Sequence, residues 1–236
     1  MTSQTDRSHL DCGDCKYHAQ GYMPPTCRSC MNEQERTGQW LPLFDGLPAE
    51  NRRPTEQPLL IGLAGRARSG KSTVAGYLAR RYGFIELSFA APIRTFVADL
   101  LDLSVKDLEG PEKEKVVDWV GKSPRYMMQT LGTEWGRRLI GEDFWVKRVL
   151  RRVREVTGCG FPVVISDVRF DNEAEAIRAA GGHILHISRP GAPLVCGHVS
   201  EAGVTAHLGD YSILNNGSIE ALHRQVELAV RYFRTL

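Results

Sequence analysis

The chain has 236 residues, and its 30 Lys and Arg residues nearly balance its 28 Asp and Glu residues, which leaves a formal net charge of +2. This balance excludes a basic field over the whole protein of the kind that attracts nucleic acid, and equally an acidic field. No apolar stretch approaches the ~18–20 residues needed to cross a bilayer, and the first residues lack the apolar centre of a signal peptide. We therefore expect a cytoplasmic protein with no membrane partner.

The first part of the chain contains four of the six cysteines, in two closely spaced pairs. Each pair can present two thiolates to one ion, and two pairs complete the tetrahedral shell of a structural Zn²⁺. The spacer between the pairs is short for such a site, so redox-sensitive or idle thiols remain an alternative, and His18 could replace one ligand. The expected zinc ligands are Cys12, Cys15, Cys27 and Cys30.

Residues 42–58 contain four prolines, which is typical of an extended linker. The sequence therefore predicts a zinc-ribbon-like segment with a Pro-rich linker over residues 1–56, followed by a larger domain over residues 57–236. Few basic or aromatic residues accompany the cysteines. We favour a stabilising or protein-docking role for this segment, with a partner that the sequence does not identify.

An apolar run at residues 59–64 leads into a glycine-rich loop and then into a helical pattern that Gly83 closes. The backbone N–H groups of such a loop can surround a polyphosphate. Lys71 is expected to reach the β- and γ-phosphates and the Ser72 hydroxyl to hold Mg²⁺. The strand–loop–helix context predicts an ATP or GTP site formed by Gly65, Arg66, Ala67, Arg68, Ser69, Gly70, Lys71, Ser72 and Thr73.

The rest of the chain alternates between strand and helix patterns. We predict further strands at residues 84–89, 162–167, 183–188 and 211–214, and helices from Pro92, over 124–140, 143–156 and 171–180, and after Ser218. Five mostly parallel strands with helices on both faces predict a three-layer α/β fold of the P-loop NTPase type, whose ligands bind beyond the carboxyl ends of the strands. The helix that begins at Pro92 is expected to bury one face formed by Ile93, Phe96, Val97, Leu100 and Leu101.

Several stretches carry a family resemblance: the loop Gly-Arg-Ala-Arg-Ser-Gly-Lys-Ser and residues 88–94, 128–137, 165–173 and 215–218. Together they resemble the deoxynucleoside monophosphate kinases of tailed bacteriophages, and the resemblance spans residues 59–236. It implies transfer of the γ-phosphoryl group of ATP, with Mg²⁺, to a deoxynucleoside monophosphate, which would supply phage DNA synthesis in the host-cell cytoplasm. It leaves a homodimer open.

The resemblance also implies site residues, which act by positioning and neutralisation together with Lys71. Asp167 could hold a metal-bound water or orient the acceptor, and its alternative role is to cap the next turn. Arg169 is expected to contact a phosphate or the substrate, unless it is an ordinary surface arginine, and Arg137 joins the catalytic set. The candidate acceptor-binding residues are Ser88, Arg94, Arg125, Gln129, Thr133 and Glu134.

Other charged segments are interpreted as a candidate lid or as a solvated surface. Arg125, Arg189 and the pair Arg137–Arg138 could close over the transferred phosphate, and residues 198–201 lie in a Gly- and Pro-rich loop typical of a lid. The basic run at 147–154 alternates around an apolar stripe and is interpreted as a solvated helix face.

Two rival functions remain open at this point. One is a kinase of another small acceptor, such as dephospho-coenzyme A or a ribonucleotide. The other is an ATP-dependent switch that docks nucleic acid or protein through its cysteine segment. A switch that binds nucleic acid would be expected to show salt-dependent binding that weakens when the cysteines are replaced.

Overall fold

The computed structural model describes residues 57–108, 110–191 and 203–236, which belong to one unit, Gln57–Leu236. The cysteine segment with Cys12, Cys15, Cys27 and Cys30, and the predicted lid residues 198–201, lie outside the described residues. Within the described part, no helix is both long and apolar enough to cross a membrane.

Five strands form a single parallel sheet in the spatial order β2-β3-β1-β4-β5. Their bounds are Leu60–Ala64 for β1, Ile85–Leu87 for β2, Val163–Val168 for β3, His183–Ser188 for β4 and Tyr211–Leu214 for β5. The predicted five-stranded sheet is confirmed. β2 is shorter than its predicted range of 84–89, because the N–H groups of Phe89 and Ala90 donate to the side chain of Asp167 instead of to a neighbouring strand.

Six α-helices, one π-helix and two short 3₁₀ turns accompany the sheet in the described residues. The α-helices are α1 (Lys71–Tyr82), α2 (Ala91–Leu100), α3 (Pro124–Gln129), α4 (Phe144–Gly158), α5 (Asp171–Ala179) and α6 (Ile219–Phe233). The π-helix covers Thr130–Ile140, and the 3₁₀ turns are Val105–Leu108 and Pro111–Glu114.

Helices cover both faces of the sheet. On one face, α1 and α6 share an apolar cluster with Ile61 and Leu63 of β1. On the other face, α5 approaches so closely that a Cβ added to Gly62 would lie 2.8 Å from Cδ1 of Ile177. Because both faces are covered, every residue of β1 is buried. The predicted three-layer arrangement is confirmed.

The predicted apolar face of α2 is only partly right. Ile93, Val97 and Leu101 are buried, but Phe96 is 54% exposed and Leu100 is 48% exposed. α2 packs through one narrow stripe that includes Val97, Ala98 and Leu101. The spacing of apolar residues indicates a helix, but the width of its buried face depends on how many neighbouring elements cover it.

The helix predicted over 124–140 changes its winding at Thr130. The N–H of Gly141 donates to the carbonyl of Gly136, five residues earlier, at 3.1 Å, which is the π-helical spacing. The indole Nε1 of Trp145 donates to the carbonyl of Gly132 at 2.8 Å. A Cβ on Gly136 would overlap the same indole ring. The wide π-helical turn thus accommodates the Trp145 indole. Its N–H donates to the Gly132 carbonyl, which in an α-helix would accept from the N–H of Gly136.

Candidate active site

The glycine-rich loop joins β1 to α1 at the carboxyl edge of the sheet. Gly65 has φ 146° and Gly70 has φ 109°, a region that residues with a Cβ rarely adopt. A Cβ on Gly65 would overlap the carbonyl of Ile187 in β4, and one on Gly70 would lie 2.6 Å from Nδ2 of Asn215. The loop is therefore folded tightly against the ends of β4 and β5, and both glycines are needed for that closeness.

Lys71 is the first residue of α1, and its side chain returns to the loop. Its Nζ donates to the carbonyl oxygens of Gly65 at 2.6 Å and Arg66 at 2.8 Å. Ser72 and Thr73 follow on the exposed first turn of α1. The lysine charge and the N-terminus of the helix thus face the same concave backbone, which suits an anion.

Asn215 fastens the loop from the end of β5. Its Nδ2 donates to the carbonyl of Ser69 at 2.9 Å, and its backbone N–H donates to the carbonyl of Ser188 at 2.7 Å. The sequence marked Asn215 only as part of a family-like stretch. Its structural task, to connect the loop with β4, was not predicted.

Asp167 lies at the end of β3 and holds the segment between β2 and α2. Its Oδ2 accepts from the Ser88 hydroxyl at 2.7 Å and from the Ala90 N–H at 3.0 Å, while its Oδ1 accepts from the Phe89 N–H at 2.8 Å. Arg94 extends the network, because its Nη2 donates to the Ser88 hydroxyl at 3.1 Å. Three residues predicted separately for the site, Asp167, Ser88 and Arg94, are therefore linked by hydrogen bonds.

Arg137 projects from the π-helix onto the N-terminus of α5. Its Nη2 pairs with Oε1 of Glu173, and its guanidinium lies 4.0 Å from the ring centroid of Phe170. Oε2 of Glu173 accepts from the backbone N–H groups of Arg169 at 2.8 Å and Phe170 at 3.2 Å. Arg137 and Arg169, 32 positions apart in the chain, thus share one carboxylate.

Sequence analysis did not select Glu173. The available signal was an acidic residue three positions after Phe170 at the start of a predicted helix, the place where a carboxylate can accept backbone N–H groups. Glu173 is only 2% exposed. Burial raises its pKa to about 7, against the opposing influence of the Arg169 N–H and the Arg137 guanidinium.

Some predicted residues stand apart from these networks. Arg125 pairs with Glu114 at 2.7 Å, and Arg138 pairs with Glu134 at 2.5 Å on the exposed side of the π-helix. Gln129 and Thr133 lie half-buried where α3 passes into the π-helix. In the basic run at 147–154, Lys147 forms an exposed pair with Asp143, which precedes α4, and Arg151 pairs with Glu155 on α4, as that interpretation anticipates.

A cavity of about 360 Å³ opens beside the loop, between the ends of β3, β4 and β5. Five cationic or ionisable bases line it, and none of its described lining residues is acidic: Arg66, Lys71, Arg169, His186 and Arg189. Such a lining favours a polyanionic ligand. Arg189, predicted as a lid residue, lies at this cavity.

Behind His186 lies the carboxylate of Asp210, whose side chain is 5% exposed and which sequence analysis missed. Oδ2 of Asp210 lies 2.9 Å from Nε2 of His186 and accepts from Nη2 of Arg178 at 2.7 Å. Burial acts to raise the pKa of Asp210, but the hydrogen bonds from Arg178, the His207 N–H and His186 prevail and lower it to about 2. Asp210 is therefore ionised at neutral pH.

The parallel sheet, the glycine-rich loop with Lys71 and the adjoining cationic cavity define a P-loop nucleotide-binding enzyme. The family model described as deoxynucleotide monophosphate kinase matches residues 112–226. A putative deoxynucleotide monophosphate kinase of Acanthamoeba polyphaga mimivirus is 34% identical over 186 residues, covering 71% of this chain and 94% of that protein. The chain belongs to the deoxynucleotide monophosphate kinase family.

Further matches agree in kind. The deoxynucleotide monophosphate kinase of Enterobacteria phage T4 is 26% identical, over 71% of this chain and 97% of that protein. The corresponding protein of Escherichia phage RB69 is 34% identical over 46% of this chain and 45% of that protein. A dephospho-CoA kinase structure from Campylobacter jejuni, at 14% identity and a TM-score of 0.41, covers 75% of this chain and 98% of that one. That degree of likeness says nothing about the acceptor.

Proposed function

We propose that the protein transfers the γ-phosphoryl group of ATP to the 5′-phosphate of a deoxynucleoside monophosphate, giving ADP and the diphosphate. The observation that carries the proposal is the loop with Lys71 beside a cavity whose described lining has cationic groups and no acidic ones. Relatives named deoxynucleotide monophosphate kinase support the choice of acceptor.

The reaction would need Mg²⁺, which would neutralise charge on the phosphates of ATP. The chain offers a suitable hard-oxygen set. Ser72 presents a hydroxyl on the first turn of α1, and Asp167 presents a carboxylate at the end of β3. Because Asp167 already accepts three hydrogen bonds, it would support the metal site indirectly rather than as a direct ligand.

The remaining residues act by position and charge. Lys71 exchanges its two loop carbonyls for phosphate oxygens, as a compact ammonium can. Arg169, which lines the cavity, and Arg137 are expected to contact the transferred phosphoryl group, where their positive charge would stabilise the charge that spreads over its oxygens. No covalent intermediate is needed, and neither is a general base, because the acceptor phosphate is already ionised.

The acceptor is expected to lie between the Ser88–Arg94 segment and the π-helix. Asp167 accepts from the Ser88 hydroxyl, which in turn accepts from Arg94, and the planar guanidinium of Arg94 suits a monophosphate. Gln129 and Thr133 are then available to read the base. Arg125 and Glu134, which pair with Glu114 and Arg138, are the less favoured candidates.

The decisive experiment measures ADP release from Mg·ATP with a panel of deoxynucleoside monophosphates, ribonucleoside monophosphates and dephospho-coenzyme A, beside an acceptor-free control. Stimulation by one or more deoxynucleotides is expected. Stimulation only by another acceptor would support a different small-molecule kinase, and hydrolysis without any acceptor would support the ATP-dependent switch.

For the N-terminal segment we propose one structural Zn²⁺ held by Cys12, Cys15, Cys27 and Cys30, in a unit separate from the kinase domain at 57–236. The spacing of the cysteines supports this proposal. Elemental analysis is expected to find one zinc per chain, lost when Cys12 and Cys27 are both replaced by serine and retained in a Cys159→Ser control. A metal-free wild-type protein would leave the idle-thiol alternative.

The viral sources of the similar proteins support activity in the cytoplasm of an infected host cell, and a homodimer stays a prediction.

A further inference from the structure

Glu173 joins two parts of the site that the chain keeps far apart. One carboxylate oxygen pairs with Arg137 of the π-helix, and the other accepts the N–H groups of Arg169 and Phe170. With 2% of its surface exposed, Glu173 is one of the few buried ionisable side chains of the described residues. Neither the proposed phosphoryl transfer nor acceptor binding uses it directly.

The contacts of Arg137 leave its guanidinium little freedom. Its Nη2 is fixed by Glu173, its plane lies over the ring of Phe170, and its Nη1 lies 3.5 Å from the carbonyl of Glu142. Its side chain is only 14% exposed. A guanidinium has five N–H donors, so a donor held by Glu173 leaves others for an anion.

We propose that Glu173 is a positioning residue: its carboxyl group locks Arg137 and the backbone of Arg169 into one rigid unit, so that both arginines meet the transferred phosphoryl group together. This inference rests on the proposed function. Its physical basis is that a preorganised charge stabilises a transition state without reorganisation, whereas a free arginine must first lose rotamer freedom.

The cost of burying a carboxyl group supports this role. Burial disfavours the ionised form of Glu173, and a buried ion pair commonly adds little stability compared with apolar residues of the same volume. A pair of this kind is therefore poorly explained as a device for stability alone. Its geometry instead connects the two arginines, because Oε1 pairs with the Arg137 guanidinium while Oε2 accepts the backbone N–H of Arg169 together with that of Phe170.

The test is a double-mutant cycle on kcat, with Glu173→Gln, Arg137→Ala and the double variant compared in the deoxynucleotide-stimulated assay. Glutamine retains an oxygen for the backbone N–H groups but removes the negative charge. We expect Glu173→Gln to lower kcat on the order of 10²-fold, with both KM values within about threefold of wild type. In the Arg137→Ala background the same change should have almost no further effect, because its target is gone.

Glu155→Gln is the matched control, since Glu155 is exposed and pairs with Arg151 and Arg152 of its own helix, α4. It should retain wild-type kcat. If Glu173→Gln does not fold, Phe170→Leu removes the stacking surface of Arg137 with Glu173 in place, and its effect should also vanish in the Arg137→Ala background.

A wild-type kcat in Glu173→Gln, or losses that add fully to those of Arg137→Ala, would overturn the positioning role while the proposed function stands. A wild-type protein that no deoxynucleotide stimulates would overturn the proposed function and this inference with it.

Discussion

The phosphate loop and the Arg137–Glu173 pair are both built to hold positive charge, but they are assembled in different ways. The loop at residues 65–73 is continuous in sequence, and its lysine is held by carbonyls of the same loop. Arg137 comes from the π-helix, and its partner comes from α5, 36 positions along the chain. The first device is local and the second exists only in the folded protein.

This difference has a consequence for how each part responds to change. Backbone donors and a helix N-terminus remain when the Lys71 side chain is removed, so that substitution should affect chemistry more than folding. The Arg137–Glu173 pair depends on packed contacts between separate elements, so a change there should affect stability and activity together.

The largest expected effect concerns the loop. Lys71→Ala removes the charge that faces the β- and γ-phosphates, and we expect kcat to fall on the order of 10³-fold or more while the thermal unfolding curve stays close to wild type. Lys147→Ala, which alters only an exposed pair with Asp143, is the control. Near-normal turnover in Lys71→Ala would contradict the assignment of the loop as the phosphate site.

A smaller effect on activity, together with a loss of stability, is expected from a change in the π-helix that carries Arg137. A Cβ at position 136 would overlap the indole of Trp145, so Gly136→Ala must shift the π-helix or the ring. We expect a free energy of unfolding lower by about 1–3 kcal/mol, measured by urea denaturation, and a reduced kcat because Arg137 is displaced.

Gly158→Ala provides the matched control for this change. A Cβ at Gly158 would meet nothing within 4 Å at the end of α4, so the substitution should be neutral or slightly stabilising. Equal behaviour of the two alanine variants would contradict the role given to the π-helix.

The smallest expected effect is a pH dependence of the free energy of unfolding, caused by the titration of Asp210 behind the cavity. The pKa of Asp210 is lowered to about 2 in the folded protein, so its ionised form stabilises the fold above about pH 4, and this contribution is lost as the pH falls towards 2. Asp210→Asn should therefore be less stable than wild type at pH 7, with a difference that shrinks below about pH 4.

The titration of Glu173 does not affect the comparison between wild type and Asp210→Asn. Its raised pKa contributes in the opposite sense, since stability declines as the pH rises from about 4.5 to about 7. Both proteins retain Glu173, so its contribution cancels in the difference between urea unfolding curves. A difference that stayed constant down to pH 3 would contradict the ionised Asp210 network.

Much of the architecture was predictable because it follows local rules. The β-type run before Gly65, the closing Gly83 and the Ser218 cap each mark an element boundary by backbone chemistry, and the structure has all three. The predicted face of α2 failed for a different reason. Phe96 and Leu100 have the right spacing, but no element covers them in the described residues.

The residues of the candidate site also differ in whether the sequence could predict them. The pattern of residues selected the loop, because the backbone conformation that phosphate binding requires is formed by consecutive residues, and the family resemblance added Asp167 and Arg169. Only the tertiary structure showed that Asp167 accepts from Ser88 and that the Trp145 indole donates to the π-helix. It also showed that Glu173 contacts both Arg137 and the backbone of Arg169. These contacts join residues that are distant in the chain. They depend on burial and on hydrogen-bond geometry, which arise only when the elements pack together.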